Sequence, residues 1–418
     1  MKPLKVCIFT ETYYPEVGGG ETQARLLAED LIACGHSVII LTRRSRRPSD
    51  RFELVGVTPV FRLPPPGSGQ LKKWGLIFSS IPWLVRMMRH YDVVFVSGYR
   101  IIGISAVLVC KLLGKRCILK ADSQGEMSGG FFLPGLRKLG ISPTGWPFKV
   151  FLRLRNGVLR QADAFSAISD NIAMELSAAG VSLNKIHMIP NGVDTTRFYP
   201  ADPARKAYLR DTLALPQNAA VAVYTGRLVS YKGLPLLLKV WHRTHTRHAN
   251  AILVLVGAGG LDIHNCEAEL RAYVNAHALG QTIRFAGSVP NVHEYLQAAD
   301  LFVFPTENDA FPSSLIEAMA CGLPVVTTRV GAISAIVTDQ QNGLVVAPGD
   351  EQQLYQALDT LLSDSPLSSR LGQEARKTVQ DDYSAVRVTK AYLALIRSTA
   401  HPSTSSAVTS AQTEERSP

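Results

Sequence analysis
The sequence is poor both in the residues that staple small secreted domains and in the runs that carry a chain through a bilayer. Its 418 residues include six cysteines, Cys7, Cys34, Cys110, Cys117, Cys266 and Cys321, and no two form a C-x-x-C pair. This excludes a disulfide-dense scaffold and offers no metal-ligand spacing; buried free thiols in a reducing compartment are expected. Long apolar runs are missing too. The nearest, Ile101 to Leu113, is interrupted by Lys111 and is too short for a bilayer span. The opening MKPLKVCIFTETYYPE has too short an apolar run for a secretory signal. A cytoplasmic protein, soluble or peripheral on the inner face of a membrane, is expected.

Acid is scarce in one half only. Residues 1–190 hold 25 Lys/Arg against 13 Asp/Glu, whereas residues 191–418 hold 19 against 21. A basic first half suits an anionic partner such as a membrane surface, a phosphorylated lipid or nucleic acid, and otherwise serves as solubility charge. The cluster Arg43-Arg44-Ser45-Arg46-Arg47 has no supporting nucleic-acid motif and reads as a solvated loop, so no nucleic-acid partner is expected. With 46% hydrophobic and 19% charged residues, the chain has material for two or three domains with substantial cores.

What is present is a repeated alternation of apolar strands and amphipathic helices. Leu4 to Phe9 reads as a strand, Glu21 to Cys34 as a helix stopped by Gly35, and Ser37 to Thr42 as the next strand. Between the first two lies Gly18-Gly19-Gly20, where backbone at a helix N-terminus can approach a phosphate, or simply turn. Leu63 to Gln70 reads as a loop and Leu76 to Met88 as a helix. Strands at Asp92–Ser97 and Arg116–Lys120 flank a buried helix, Ile101–Leu113. The chain leaves the latter strand at Asp122 and Ser123, at the edge where such sheets bind ligands. Phe148 to Arg160 reads as a helix with an apolar stripe flanked by cations; the core is its expected partner. Phe131, Phe132, Arg137 and Lys138 are the preferred candidates for contact with a membrane or a lipid acceptor.

In the second half, the strand Ala219–Tyr224 runs into Gly226-Arg227-Leu228 and then Lys232-Gly233, two cations that can converge on one anion or stand solvated. Further on, the strand Leu301–Phe304 enters a polar loop with Asp309, turns at Phe311-Pro312, and continues into a helix carrying Glu317. Ser313 or Ser314 is expected to cap that helix, and Gly322 and Pro324 end it. A helix N-terminus with two nearby carboxylates suits a ligand bearing both phosphates and hydroxyls; a plain strand–loop–helix unit with solvated acids has the same spacing.

The stretch Glu317-Ala318-Met319-Ala320-Cys321-Gly322-Leu323-Pro324-Val325-Val326 resembles the E-A-M-A-x-G-x-P-V-V tail of the E-x7-E signature of retaining family 4 (group 1) glycosyltransferases. The upstream acid differs, since Asp309 stands where the signature has Glu. Pro15 to Gly19 resembles the P-x-x-G-G opening of that family, Pro190 to Asp194 its P-N-G-V-D turn between domains, and Gly226 to Gly233 its G-R-L-x-x-x-K-G segment. No His stands in the loops after the strands ending at Ser97 and Lys120, where the family often has one.

The resemblance implies an α/β fold of the GT-B type, two doubly wound Rossmann-like domains facing across a cleft. It places an acceptor-side domain at 1–190, a linker at 191–218 and a nucleotide-sugar domain at 219–382. A helix at 383–398 would cross back to the first domain, and the Ser/Thr/Pro-rich 399–418 would be a disordered tail. It implies hexosyl transfer from a UDP- or GDP-linked donor, with retention, to a saccharide or lipid-linked acceptor, without cofactor or divalent metal. Arg227 and Lys232 would hold the diphosphate and Glu317 the ribose hydroxyls. Asp309 with Phe311, Ser313 and Ser314 would hold the sugar. Val289 would lie near the base, and Gly19, Gly20 and Gly226 would give backbone room. Asp122 and Ser123 would face the acceptor. A sugar-nucleotide epimerase and a non-catalytic partner subunit share these features; the first would need no acceptor and the second would bind nucleotide weakly.

Overall fold
A computed structural model describes residues 3–400 except 17, 45–49, 68–69, 139, 141 and 261. Its first sheet comprises β1 (Lys5–Thr10), β2 (Ser37–Arg43), β3 (Phe52–Val55), β4 (Thr58–Leu63), β5 (Val93–Ser97), β6 (Arg116–Lys120), β7 (Ala164–Ala167) and β8 (Ile186–Met188), in the order β3-β4-β2-β1-β5-β6-β7-β8. All neighbours pair in parallel except β3 and β4, an antiparallel hairpin on the edge that the sequence reading did not contain. The central strands are buried on both faces, which is why they read as near-continuous apolar runs.

Around this sheet stand α1 (Gly19–Ala33), α2 (Gln70–Arg86), α3 (Ile102–Leu113), α4 (Leu133–Lys138), α5 (Trp146–Leu159) and α6 (Asp170–Ala178). The second half carries α7 (Pro203–Thr212), α8 (Leu234–Arg247), α9 (Glu267–Ala276), α10 (Val292–Ala298), α11 (Ser313–Ala320), α12 (Ile333–Ile336), α13 (Glu351–Ser363) and α14 (Ser365–Thr378). Its strands are β9 (Ala220–Thr225), β10 (Ala251–Val256), β11 (Ile283–Gly287), β12 (Leu301–Phe304), β13 (Val325–Thr328) and β14 (Leu344–Val346). They form an all-parallel sheet in the order β11-β10-β9-β12-β13-β14. The chain steps outward from β9 in one direction, then returns and steps outward from β12 in the other. Loops therefore diverge at the carboxyl ends of β9 and β12, leaving the crevice in which such sheets bind ligands. The same reversal occurs between β1 and β5 in the first sheet.

The stretch 191–218 is packed, not loose. Arg210 on α7 donates to Ala298 O at 3.0 Å and pairs with Asp300 at 2.6 Å, and Asp300 also accepts from Val221 N at 2.7 Å. The last helix, α15 (Ala385–Ala400), lies against the first sheet, not the second. Tyr392 meets Phe95 edge to face at 5.1 Å and shares a hydrogen bond with Ser166 at 3.1 Å, and Thr389 donates to Asp30 at 2.9 Å. The chain thus passes twice between the sheets. The two passages touch where Val193 N donates to Tyr383 O and Ala385 N to Val193 O, both at 2.9 Å. The Gln23 side chain on α1 makes two 2.8 Å hydrogen bonds to the Gly192 backbone. Thr399 and Ala400, expected in the tail, belong to α15, and 401–418 lie outside the described residues.

Candidate active site
The turn after β9 and the loop after β12 are stitched into one unit. Tyr231 O accepts from Glu307 N at 2.9 Å and from Thr306 Oγ1 at 3.3 Å. Gly233 makes the approach possible: its φ is +70°, and a Cβ there would stand 1.9 Å from Pro305 O. Lys232, buried in the tight turn just before, directs its ammonium into the β12 loop. Nζ lies 2.7 Å from Asp309 Oδ2 and 3.4 Å from Asn308 O, and 5.2 Å from the Phe304 ring centre. Asp309 Oδ1 accepts from Phe311 N at 3.2 Å, so both oxygens of this acid are engaged within the loop. Arg227 is exposed. Its guanidinium pairs with Asp262, from the loop after β10, and donates to Tyr231 Oη at 2.7 Å.

Ser313 and Ser314 are the first two residues of α11, not its cap. Pro312 occupies the cap position and no side chain accepts from the first N–H groups. The side chain that closes the turn is Asp309, three residues upstream, which accepts from Phe311 N. Glu317 follows one turn inside α11. Its carboxyl sits half-buried in a recess, makes no hydrogen bond to the described residues, and is pushed up to about 7 by burial, against the opposing pull of Arg197. Val289 lies half-buried just beyond β11, and Gly226, at φ +148°, turns over the Tyr224 hydroxyl.

At the first sheet's reversal, Gly19 and Gly20 are the opening residues of α1, and space is open beside Gly19. A Cβ on Gly20 would stand 2.9 Å from Asp122 Oδ2, so the absence of a side chain there lets the β6 loop close on the helix N-terminus. Asp122 accepts from Ser97 Oγ at 2.8 Å and pairs with buried Lys120. Ser123 is held by Arg100 at 3.0 Å and by Glu126.

Glu126, nearly fully buried, accepts from the backbone N–H of Asp122 and Ser123, both at 3.1 Å, and from Arg100 Nε at 3.2 Å. Glu175 on α6 takes the N–H groups of Gly125, Met127 and Ser128 at 2.7–2.9 Å. Neither acid, nor Tyr231, Asp262 or Arg197, stood out in the sequence. They are isolated polar residues whose burial and partners exist only once distant loops meet.

The structure gives Phe131 and Phe132 internal partners. Phe132 packs among Trp74, Phe148 and Phe151 at centroid distances of 5.8–6.4 Å, and the Arg100 guanidinium lies 3.8 Å over Phe131. The side chains of Arg137 and Lys138 lie outside the described residues.

Two family models match the chain: "Glycosyl transferases group 1" over residues 206–378 and "Glycosyltransferase Family 4" over residues 17–197. The chain is a group 1 glycosyltransferase of the GT-B fold. This glycosyltransferase is 28% identical over 277 residues to alpha-maltose-1-phosphate synthase of Mycobacterium tuberculosis, covering 63% of this chain and 70% of that one. It is 24% identical over 389 residues to N-acetyl-alpha-D-glucosaminyl L-malate synthase of Bacillus anthracis, covering 91% and 94%. Among solved structures, sucrose-phosphate synthase from Thermosynechococcus elongatus superposes with a TM-score of 0.77 at 22% identity, covering 96% of this glycosyltransferase and all of that chain. HepE from Anabaena in complex with UDP and glucose gives 0.74 at 18%, covering 94% and all of its chain.

Proposed function
We propose that the protein transfers a hexosyl group from a UDP- or GDP-linked sugar, with retention of configuration, to a lipid-linked saccharide or a growing cell-surface polysaccharide. The observation that carries the donor half is the placement of Lys232 and Arg227 on one short segment at the β9/β12 crevice, with Lys232 directed into the β12 loop. A diphosphate entering there meets two cations. They stabilise the charge that grows on the leaving nucleotide, the work a divalent metal does elsewhere. The unpartnered Glu317 carboxylate accepts from the vicinal hydroxyls of a ribose, and the base lies toward Val289. The sugar rests against the β12 loop at Phe311, Ser313 and Ser314, with Asp309 at its edge. The acceptor approaches from Gly19, Gly20, Asp122 and Ser123.

The second structural neighbour's complex with UDP and glucose supports a nucleotide-sugar donor for this fold. The acidic lining beside α1, with Glu21 and Asp122 close enough to raise the Glu21 carboxyl further beyond what burial does, favours a neutral hydroxyl acceptor over an anionic one at that point. With no second carboxylate among the described residues placed as acid opposite a nucleophile, departure and attack on one face of the sugar is the simplest route to retention.

Calorimetric titration with UDP, GDP and ADP tests the donor site. One nucleotide is expected to bind, and Lys232→Ala and Arg227→Ala each to weaken transition-state stabilisation by about 2–4 kcal/mol, as loss of one preorganised charge donor does. Asp309→Ala is expected to lower both donor affinity and turnover. If no nucleotide binds, a non-catalytic partner subunit becomes the better reading. An inverted product anomer would remove retention.

A further inference from the structure
We infer that the outer face of the helical layer formed by α2, α3 and α5 is the surface by which the protein seats itself on an anionic lipid bilayer. One face of the first sheet is closed by α1 and α15; the other is closed by these three helices. They are joined side by side: Ser80 Oγ of α2 meets Ser105 Oγ of α3 at 2.8 Å, and Trp74 of α2 meets Phe151 of α5 at 5.6 Å. Each buries its inner stripe in the core, through Leu76 and Leu84, through Ala106 and Cys110, and through Phe148 and Leu159.

Their outer stripes should then be polar, as on an ordinary surface helix. They are not. Phe78 on α2 is 75% exposed, Leu112 on α3 81%, and Trp146 and Leu154 on α5 76% and 68%. On α5 the exposed apolar residues Trp146, Val150 and Leu154 recur every four residues, so they form one stripe along the helix. Single exposed apolar side chains need no explanation, but stripes on three adjoining helices form a patch, and patches mark a contact surface.

Charge selects the occupant. None of the three helices contains an Asp or Glu. Exposed Arg86, Lys149 and Arg153 lie on the same helices, and Lys149 and Arg153, four residues apart, form a row beside the Val150–Leu154 stripe. A second copy of the chain would set like charges against one another. An anionic bilayer meets both features together: the aliphatic groups and the Trp146 ring enter the headgroup boundary, while the long cationic stems reach the lipid phosphates. Each Lys or Arg so placed strengthens binding about fivefold, and the effect weakens with salt. This surface lies on the domain that bears the acceptor side, so it accords with a lipid-linked acceptor. It does not depend on the donor reading, because vesicle binding needs no nucleotide.

Flotation of the full-length protein tests the inference, with vesicles of pure phosphatidylcholine and vesicles in which about a third is phosphatidylglycerol. The protein is expected to rise with the anionic vesicles and to stay behind with the neutral ones. Lys149→Glu with Arg153→Glu is expected to lower the partition at least about tenfold, and Trp146→Ser with Leu154→Ser to do the same. All four side chains are exposed, so an unchanged melting temperature and a monodisperse elution profile of each variant show that its fold is intact. Failure of the wild type to float with anionic vesicles overturns the inference and points to an acidic protein partner for this face. Wild-type flotation by either double variant overturns it as well.

Discussion

At Glu317 the protein holds a carboxyl whose proton leaves near neutrality, at about 7, because burial in the α11 recess penalises the anion more than Arg197 relieves it. The ordinary value is 4.5. Between these two values the folded protein holds a proton that the unfolded chain has released, so this group makes stability fall as pH rises from about 4.5 through about 7, and adds no further change above. Glu317→Gln is expected to flatten that part of a urea-midpoint profile. Ribose hydroxyls donate to the ionised form, so nucleotide affinity of the wild type is expected to climb as pH passes about 7. In Glu317→Gln it should be weaker by about 10- to 100-fold at high pH, the usual worth of a hydrogen bond to a charged group, and level across the range. Equal slopes for the two proteins, measured calorimetrically from pH 6 to 8 or so, would remove Glu317 from the ribose site.

The strand–turn–helix elements at the crevice depend on close backbone approach as much as on charge. Gly233 lets the β9 turn pack against Pro305 of the β12 loop, and no L side chain fits there. Gly233→Ala is expected to cost about 2–4 kcal/mol of stability, through the left-handed backbone and the clash with Pro305 O together. The residual folded protein should bind nucleotide poorly, since Lys232 would move with the turn. Denaturant unfolding and titration of the same sample separate the two losses.

At this scale the sequence was most readable where an element is long and its period clear. The central strands and α1, α3 and α5 stand within two residues of expectation. The β3–β4 hairpin is hard to see because Phe52–Val55 is a short, half-exposed edge strand and its turn, Gly56-Val57, offers only a lone glycine in place of an Asn-Gly or Asp-Gly pair. The start of α2 at Gln70 was hidden by the polar run before Leu76. At the candidate site, the turn after β9 with Arg227 and Lys232, the loop after β12 with Asp309, and the helix with Glu317 stand where the sequence places them, and the resemblance is what singled these residues out. Their partners were not legible. That Asp309 spends one oxygen on Lys232 and the other on Phe311 N is a product of the fold of two loops 77 residues apart.

For the whole molecule, the arrangement of the last helix matters as much as the crevice. The α15 side chains Val388, Tyr392, Leu393 and Ile396 share a core with Val6, Ile8, Ile40, Phe95 and Ile118 of the first sheet. Deleting residues from 384 onward would expose these strands along one face. Removing several buried large side chains at once exceeds the whole stability of a typical domain, at about 2–5 kcal/mol each. Such a truncated protein is expected to aggregate on expression, and a peptide of residues 384–400 added in trans is expected to restore solubility in part. A truncated protein that stays monomeric with an unchanged melting temperature would show that the helix is dispensable.

The same crossing sets an order of events on the ribosome. Residues up to Met188 emerge first, yet one flank of their sheet must wait for Tyr392 and Ile396 of α15. The second half, contiguous in the chain, can complete itself on the way. The domain synthesised first is thus the last to close, and for the time it takes to translate about two hundred residues, at about 5–20 residues per second, its apolar flank stands open to chaperones or to misassembly.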